Sequence, residues 1–396
     1  MRAGLLLGIS VLWIPLAFLF DGVTVLMLPI RLSGGATDLG IVSFIGLGVA
    51  AVLQPIVGAL SDRLRDRVDR RTIAALAAVP AIAGVWLLVG STGAIAALVA
   101  YVIIQAAATS IQASQQTLIP EHVGRDGQGR ASGLKAAFDV GGAFVAFLLL
   151  GAALAGGELL GAAAVTTAVL VAALVLMVLL VPSRAWADAG ADAAESRPVG
   201  GAPESPGLLA PLVVSRFLFL LATYAVGRFL LLLVAERLGI PSDRAADEAG
   251  GLLALLTLTT AGAAIPFGWL ADRISRRDLM VAGSLIAAAG IVLLAPAAGM
   301  PGLITGGLLM AIGTAAFVTA NWAATTAVVP AGDAGRLMGV ANLGTALAAA
   351  VAGLVGPVID LAGFAPALLV AAVVSAAAAI PLMTTSPSTR SVESPT

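Results

Sequence analysis

Gly58-Ala59-Leu60-Ser61-Asp62-Arg63, continuing through Arg67 to Arg70-Arg71, recurs 210 residues later as Gly268-Trp269-Leu270-Ala271-Asp272-Arg273, continuing to Arg276-Arg277. Each copy closes one long apolar run and precedes another. Only 11% of the chain is charged, so a repeated acid–base turn followed by arginines is informative. Other matches keep nearly the same spacing. Ser10 and Gly22 answer to Ser215 and Gly227 at an offset of 205, and Pro120 answers to Pro330 at 210. Gly129-Arg130-x-x-Gly133 answers to Gly335-Arg336-x-x-Gly339 at 206. The near-constant offset marks an internal duplication.

The apolar runs identify the solvent. Hydrophobic residues make up 60% of the 396 and mean hydropathy is +1.05, against about 45–50% apolar in soluble domains. A water-soluble fold cannot hide that much apolar surface, so most of this chain faces lipid. Net charge is −1, which gives no field for nucleic acid. With no cysteine and a single histidine, His122, disulfides, thiolate metal sites and cysteine nucleophiles are excluded, and no metal or cofactor site is expected. Lys135 is the one lysine among 21 basic residues; with abundant Ala and Gly, this points to a GC-rich prokaryotic genome.

A bilayer core takes about 20 residues of apolar helix. Twelve segments fit: 5–30, 39–60, 72–90, 94–118, 132–155 and 159–181, then 208–234, 249–270, 279–297, 302–328, 337–360 and 365–383. They lack the short alternating pattern of barrel strands, so they are helices. The first follows Met1-Arg2 without a suitable cleavage site and reads as a retained helix. With the N-terminus inside, the inner loops carry Arg63, Arg65, Arg67, Arg70, Arg71, Arg125, Arg130, Arg273, Arg276, Arg277 and Arg336, whereas the outer loops carry Arg31, Arg237 and Arg244. Both termini are therefore expected in the cytoplasm of a multi-pass protein in the plasma membrane. Residues 1–181 and 208–383 form two six-helix bundles in this reading. The polar Pro/Gly/Ala-rich stretch 182–207 is a cytoplasmic linker, and 384–396 is a disordered tail.

Duplicated halves enclosing a site at the bilayer midplane are the architecture of secondary transporters. The G-x-L-x-D-R turn with trailing arginines between helices 2 and 3, and its copy between helices 8 and 9, resembles the major facilitator superfamily over essentially the whole chain. The first copy runs Asp62-Arg63-Leu64-Arg65-Asp66-Arg67-Val68-Asp69-Arg70-Arg71, longer than the family's short form and with Asp69 where glycine is usual. With Gln54-Pro55 upstream, it is similar to the glycoside/sucrose-type branch. Melibiose-type members carry cation-binding aspartates on helices 2 and 4; neither span above holds one. The resemblance implies a monomer of two pseudo-symmetric six-helix bundles that rock about a central cavity. It also implies a gating role for Gly58, Asp62, Arg63, Arg67, Arg70 and Arg71 and for Gly268, Asp272, Arg273 and Arg277. In that role Asp62 faces the positive N-terminal end of helix 11 near Gly339. The plainer alternative for the arginines is a solvated orientation signal.

Ionisable residues at membrane depth are costly and hence candidates for function. Asp21 lies in helix 1, Asp139 in helix 5 one turn after Lys135, and Arg216 and Arg228 in helix 7. In facilitator-like proteins helices 1, 4, 7 and 10 line the cavity, which lets Asp21 and Arg228 meet across it. A carboxylate that alternates between an arginine and a proton would couple proton flow to transport, which nominates Asp21 with Arg228 and then Asp139. The alternatives are a static Lys135–Asp139 pair, an Arg216 that snorkels to the inner interface, and a purely structural Asp21–Arg228 tie. Gln105, Thr109, Gln112 and Gln116 share a face of helix 4, while helix 10 supplies Thr319, Asn321, Trp322 and Thr325. Gln105, Thr109, Gln112, Tyr224, Asn321 and Trp322 are the candidate substrate-binding side chains, against interhelical hydrogen bonding as the alternative. The expected function is a permease, not an enzyme, moving a small sugar-like polar solute, with protons as the coupling partner. Efflux of amphipathic compounds by proton antiport is the competing reading, followed by a non-transporting membrane sensor.

Overall fold

The computed structural model describes residues 3–32, 35–64, 69–122, 125–155, 158–181, 209–328 and 334–383, and their side chains except at 3, 58–64, 70, 117, 119–122, 125–132, 326 and 334–342. Regular structure among these residues is entirely helical. Twelve helices have the length and composition to cross a membrane. In the first half they are α1 (Gly4–Arg31), α2 (Gly35–Leu64), α3 (Arg70–Gly90), α4 (Ala94–His122), α5 (Arg125–Leu154) and α6 (Leu159–Leu180). In the second, α7 runs Leu209–Arg228 and resumes at Leu230–Leu238. It is followed by α8 (Ala245–Ala271), α9 (Arg276–Leu294) and α10 (Gly299–Val328). The last two are α11 (Ala334–Val351, prolonged by Ala352–Val355 and Gly356–Ala362) and α12 (Phe364–Ala377, then Ile380–Met383). The expected linker 182–207 and tail 384–396 lie outside the described residues.

Every expected span is present, and several helices run beyond it. Hydropathy marks only the part of a helix that lies in hydrocarbon, whereas backbone hydrogen bonding continues wherever it has no better partner. Thus α2 runs on to Leu64, so Asp62 and Arg63 occupy its last turn and not a loop. It also begins at Gly35, which brings Asp38 into its first turn. The two halves start their third helices alike. Asp69 caps α3 by accepting from the Arg71 amide at 3.1 Å, and Ser275 caps α9 by accepting from the Asp278 amide at 3.4 Å. This gives Asp69, the departure from the usual glycine, a concrete role as an N-cap.

With lipid outside, apolar side chains cover the bundle's rim; Ile265 is 79% exposed and Leu76 64%. Inside each half, small residues allow helices to approach closely, as expected where packing and not water exclusion holds helices together. Gly283 and Gly290 of α9 lie against Gly313 and Gly306 of α10, and Gly84 of α3 lies against Ala100 of α4.

The two halves meet through α5 with α8 and α2 with α11. Gly151 packs against Ala246 and Gly250 at the end of the bundle remote from the Asp-Arg turns. Gly40 packs against Gly353, and Gly356 against Ala36, at that same end. Asp360 of α11 seals it, its two carboxylate oxygens accepting from the Ala36 and Thr37 amides at 3.1 and 2.7 Å. These amides are the free donors of the α2 N-terminus.

Candidate functional site

Two irregular helices hold the central charges. Phe18–Met27 of α1 is wound as a π-helix, and it carries Asp21, Gly22 and Thr24. In α7 the helix breaks at Phe229, immediately after Gly227 and Arg228. Gly22 and Gly227 are duplication partners, so both halves depart from regular α geometry at the same depth. Such departures shift side-chain register and concentrate at functional positions.

Around them lies a polar cluster. Thr24 Oγ1 and Tyr101 Oη are 2.8 Å apart, and Gln105 Nε2 donates to Thr24 Oγ1 at 3.3 Å. Gln105 Oε1 has no protein partner. Arg228, only 7% exposed, donates from Nη2 to the Ala349 carbonyl of α11 at 3.3 Å, while its Nε and Nη1 are buried without a protein acceptor. Asp21 is within Coulombic range of Arg228 and of Asp139. Asp21 and Arg228 share one neighbourhood but form no ion pair within 4.0 Å in this conformation. Arg228 is held back by α11, and Asp21 stays on its own half.

Toward the motif end, where the Asp-Arg turns lie, each half holds one further cation. Lys135 Nζ stands 3.5 Å from Asp139 Oδ2 and 3.7 Å from the centre of the Trp13 ring. Asp139 is therefore in the local pair that its spacing from Lys135 suggests. Arg216 bonds within its own half. Its Nε donates to Thr345 Oγ1 of α11 at 2.9 Å, its guanidinium lies 4.7 Å from the Trp322 ring centre, and its Nη1 is buried without a protein acceptor. Trp322 is 39% exposed on that side, and the Tyr224 side chain shares the neighbourhood of both α7 arginines.

The other nominated side chains fall into different places. Gln105 and Thr109 are buried, Gln112 is half-buried and Gln116 is exposed. Asn321 is 1% exposed, and its Nδ2 donates to the Leu212 carbonyl at 3.2 Å, tying α10 to α7, while its Oδ1 has no protein partner.

The gating motif divides. Arg67 lies outside the described residues, as do the side chains of Gly58, Asp62, Arg63 and Arg70. Arg71 donates to the Val181 carbonyl at the end of α6 at 2.7 Å, and Arg277 to the Met383 carbonyl at the end of α12 at 3.2 Å. These are matching bonds in the two halves, each cation satisfying a helix C-terminus of its own bundle. In this conformation the bonds shown for this pair stay within each half. Gly268 lies in α8 near Thr319, Asp272 is exposed at the α8 C-terminus, and Arg273 stacks on Trp269 at 3.2 Å from the ring centre.

Sequence reasoning missed Tyr101, Thr24, Thr345 and Asp360. Tyr101 was within reach, since it continues the Gln105–Thr109–Gln112 face one turn earlier and is one of 2 tyrosines. Asp360 was marked only by being a lone carboxylate closing an apolar run.

The chain matches the family model described as Major Facilitator Superfamily over residues 212–396. Solved structures extend the likeness to the whole fold. The nucleoside transporter NupG aligns with a TM-score of 0.73 at 14% identity, over 96% of this chain and 98% of that one. A bacterial homologue of the human lysosomal transporter Spinster, in an inward-facing and occupied conformation, gives 0.71 at 16% identity, covering 96% and 94%. The human organic anion transporter MFSD10 gives 0.67 at 16%, covering 96% and 100%. No curated protein sequence matches significantly. The family match thus covers the second half of the chain, and the solved structures show that the whole chain shares their fold. With twelve helices able to span the bilayer among the described residues, the chain has the fold of a multi-pass membrane protein.

Proposed function

We propose that the protein moves a small polar solute across the cytoplasmic membrane by alternating access, that the motif end is cytoplasmic, and that this conformation is the one open to the cytoplasm. The observation that carries this reading is the distribution of contacts between the halves. Glycine seams at α2–α11 and α5–α8, with the Asp360 clamp, lie at the far end. At the motif end Asp272 is exposed and makes no ion pair among the described residues, and Arg273 rests on its own Trp269. Asp139, Lys135 and Trp322 retain exposure on that side, in keeping with a vestibule.

The central cluster supports proton coupling. Asp21 sits on the π-helical stretch at the interface of the halves, near a guanidinium that it does not touch. A rocking motion that brings Asp21 onto Arg228 favours the carboxylate, and separation favours the protonated acid. The protein works as a monomer, each six-helix bundle supplying one wall. Flux in proteoliposomes, with and without an inward-directed proton gradient, tests the reading for the compound that best stabilises the purified protein. Uphill accumulation that disappears in Asp21→Asn supports proton symport. Accumulation against an outward gradient supports efflux, and equilibration indifferent to the gradient removes the coupling role of Asp21.

A further inference from the structure

The two arginines of α7 point to the class of solute. Their Cα atoms are 12 residues apart, about 18 Å along a helix, yet they attach to α11 at Thr345 and Ala349, only one turn apart. Arg228 reaches back toward the motif end to Ala349, so the two guanidinium groups are anchored one turn apart on α11. Each uses one nitrogen on α11 and leaves others buried with no protein acceptor: Nη1 of Arg216, and Nε and Nη1 of Arg228. Trp322 lies beside the Arg216 guanidinium, 4.7 Å from its ring centre.

Charge accounting leads to the same place. In the inner part of the bundle the described ionisable groups are Lys135, Arg216 and Arg228 against Asp21 and Asp139. Lys135 and Asp139 satisfy each other. Asp21 can answer at most one of the two remaining guanidinium groups, and it contacts neither. A buried guanidinium with idle N–H groups is expensive unless something anionic completes it. A paired set of forks is also the arrangement that recognises carboxylate or phosphate oxygens.

We infer that the counter-charge is carried by the solute: the transported compound is an organic anion, whose carboxylate or phosphate group binds between Arg216 and Arg228. This rests on the alternating-access reading above and replaces the sugar-like solute expected from the helix 4 amides. Of those amides, Gln105 is tied to Thr24 and buried beside Tyr101, whereas both arginines hold open hydrogen-bonding positions.

The test uses the full-length protein in nanodiscs at fixed ionic strength, with probe pairs that differ in charge. Succinate is compared with succinamide, glutarate with glutaramide, and glycerol 3-phosphate with glycerol; uridine and sucrose are the neutral polar arms. The thermal midpoint reports binding, and distances between spin labels on the two halves report closure of the motif end. At least one anion is expected to bind about tenfold or more tightly than its neutral counterpart. Arg216→Gln should abolish that preference and Arg216→Lys should restore part of it, with the ligand-free midpoint showing that each variant is folded. Carboxylate and phosphate arms separate the two anion types. Equal binding of neutral counterparts, an unchanged preference in folded Arg216→Gln, or no response to any anion overturns the assignment. Motif-end closure driven by uridine or sucrose alone would sink the anion and leave alternating access standing. Anion binding with no distance change in any arm would instead count against alternating access.

Discussion

Replacing Asp360 with alanine removes both acceptors that join α11 to the start of α2. The clamp spans the two halves, so its loss should shift the balance between conformations more than it weakens either bundle. The Ala36 and Thr37 amides bond to an ionised carboxylate at 3.1 and 2.7 Å, and hydrogen bonds to charged groups contribute about 1.5–3 kcal/mol each when sheltered. Asp360 is exposed, so water competes and about half that value is appropriate. A negative charge at a helix N-terminus adds about 0.3–1 kcal/mol. The total of about 2–4 kcal/mol corresponds to a population shift of at least about 30-fold toward the conformation open at this end. Asp360→Asn keeps one acceptor oxygen and should shift the balance by less. The assay is pulsed dipolar spectroscopy with spin labels on α2 and α11 at each end in turn. An Asp360→Ala protein whose distance distributions match wild type at both ends would refute the reasoning, provided that wild-type distances respond to a bound solute.

Glycines between and within the halves should behave differently. A methyl at Gly250 would lie 2.5 Å from the Phe147 carbonyl oxygen of the other half, so Gly250→Ala should open that end while changing the melting temperature little. A methyl at Gly290 would lie 2.7 Å from the Gly306 carbonyl oxygen of the same half, so Gly290→Ala should lower thermal stability by about 1–3 kcal/mol without redistributing conformations. Arg71→Ala and Arg277→Ala should each cost about 1 kcal/mol by thermal denaturation and leave inter-half distances unchanged; a redistribution would place them in the gate. Tyr101→Phe removes the Thr24 hydrogen bond and should cost about 1 kcal/mol in stability. It should also reduce flux, because the Thr24–Gln105 group it anchors adjoins Asp21; full wild-type flux would confine Tyr101 to packing.

The helices were legible because each requirement for them is local. A run of about 20 apolar residues has to satisfy its own backbone in lipid, so the segments could be counted without knowing any contact. The duplication was legible for a related reason: matching turns such as Asp69-Arg70-Arg71 and Ser275-Arg276-Arg277 begin matching helices. Less could be read about partners. Arg71 carries the same motif whatever it bonds to, and only the fold brings the Val181 carbonyl beside it. Nothing in the sequence around Asn321 indicates that Leu212 will lie beside it. Asp21 and Arg228 were placed at the right depth, but depth does not fix the few ångströms between a shared neighbourhood and an ion pair.

Composition, hydropathy and internal repetition by themselves determined a twelve-helix membrane protein of two related halves, with its charges at particular depths. They could do so because insertion into lipid depends on each segment's own sequence. The closed end, the Asp360 clamp and the convergence of Arg216 and Arg228 on one turn of α11 were decided only by tertiary structure. Each depends on how helices distant in sequence cross and on which way a long side chain turns, and these follow from packing between segments and not from any one of them.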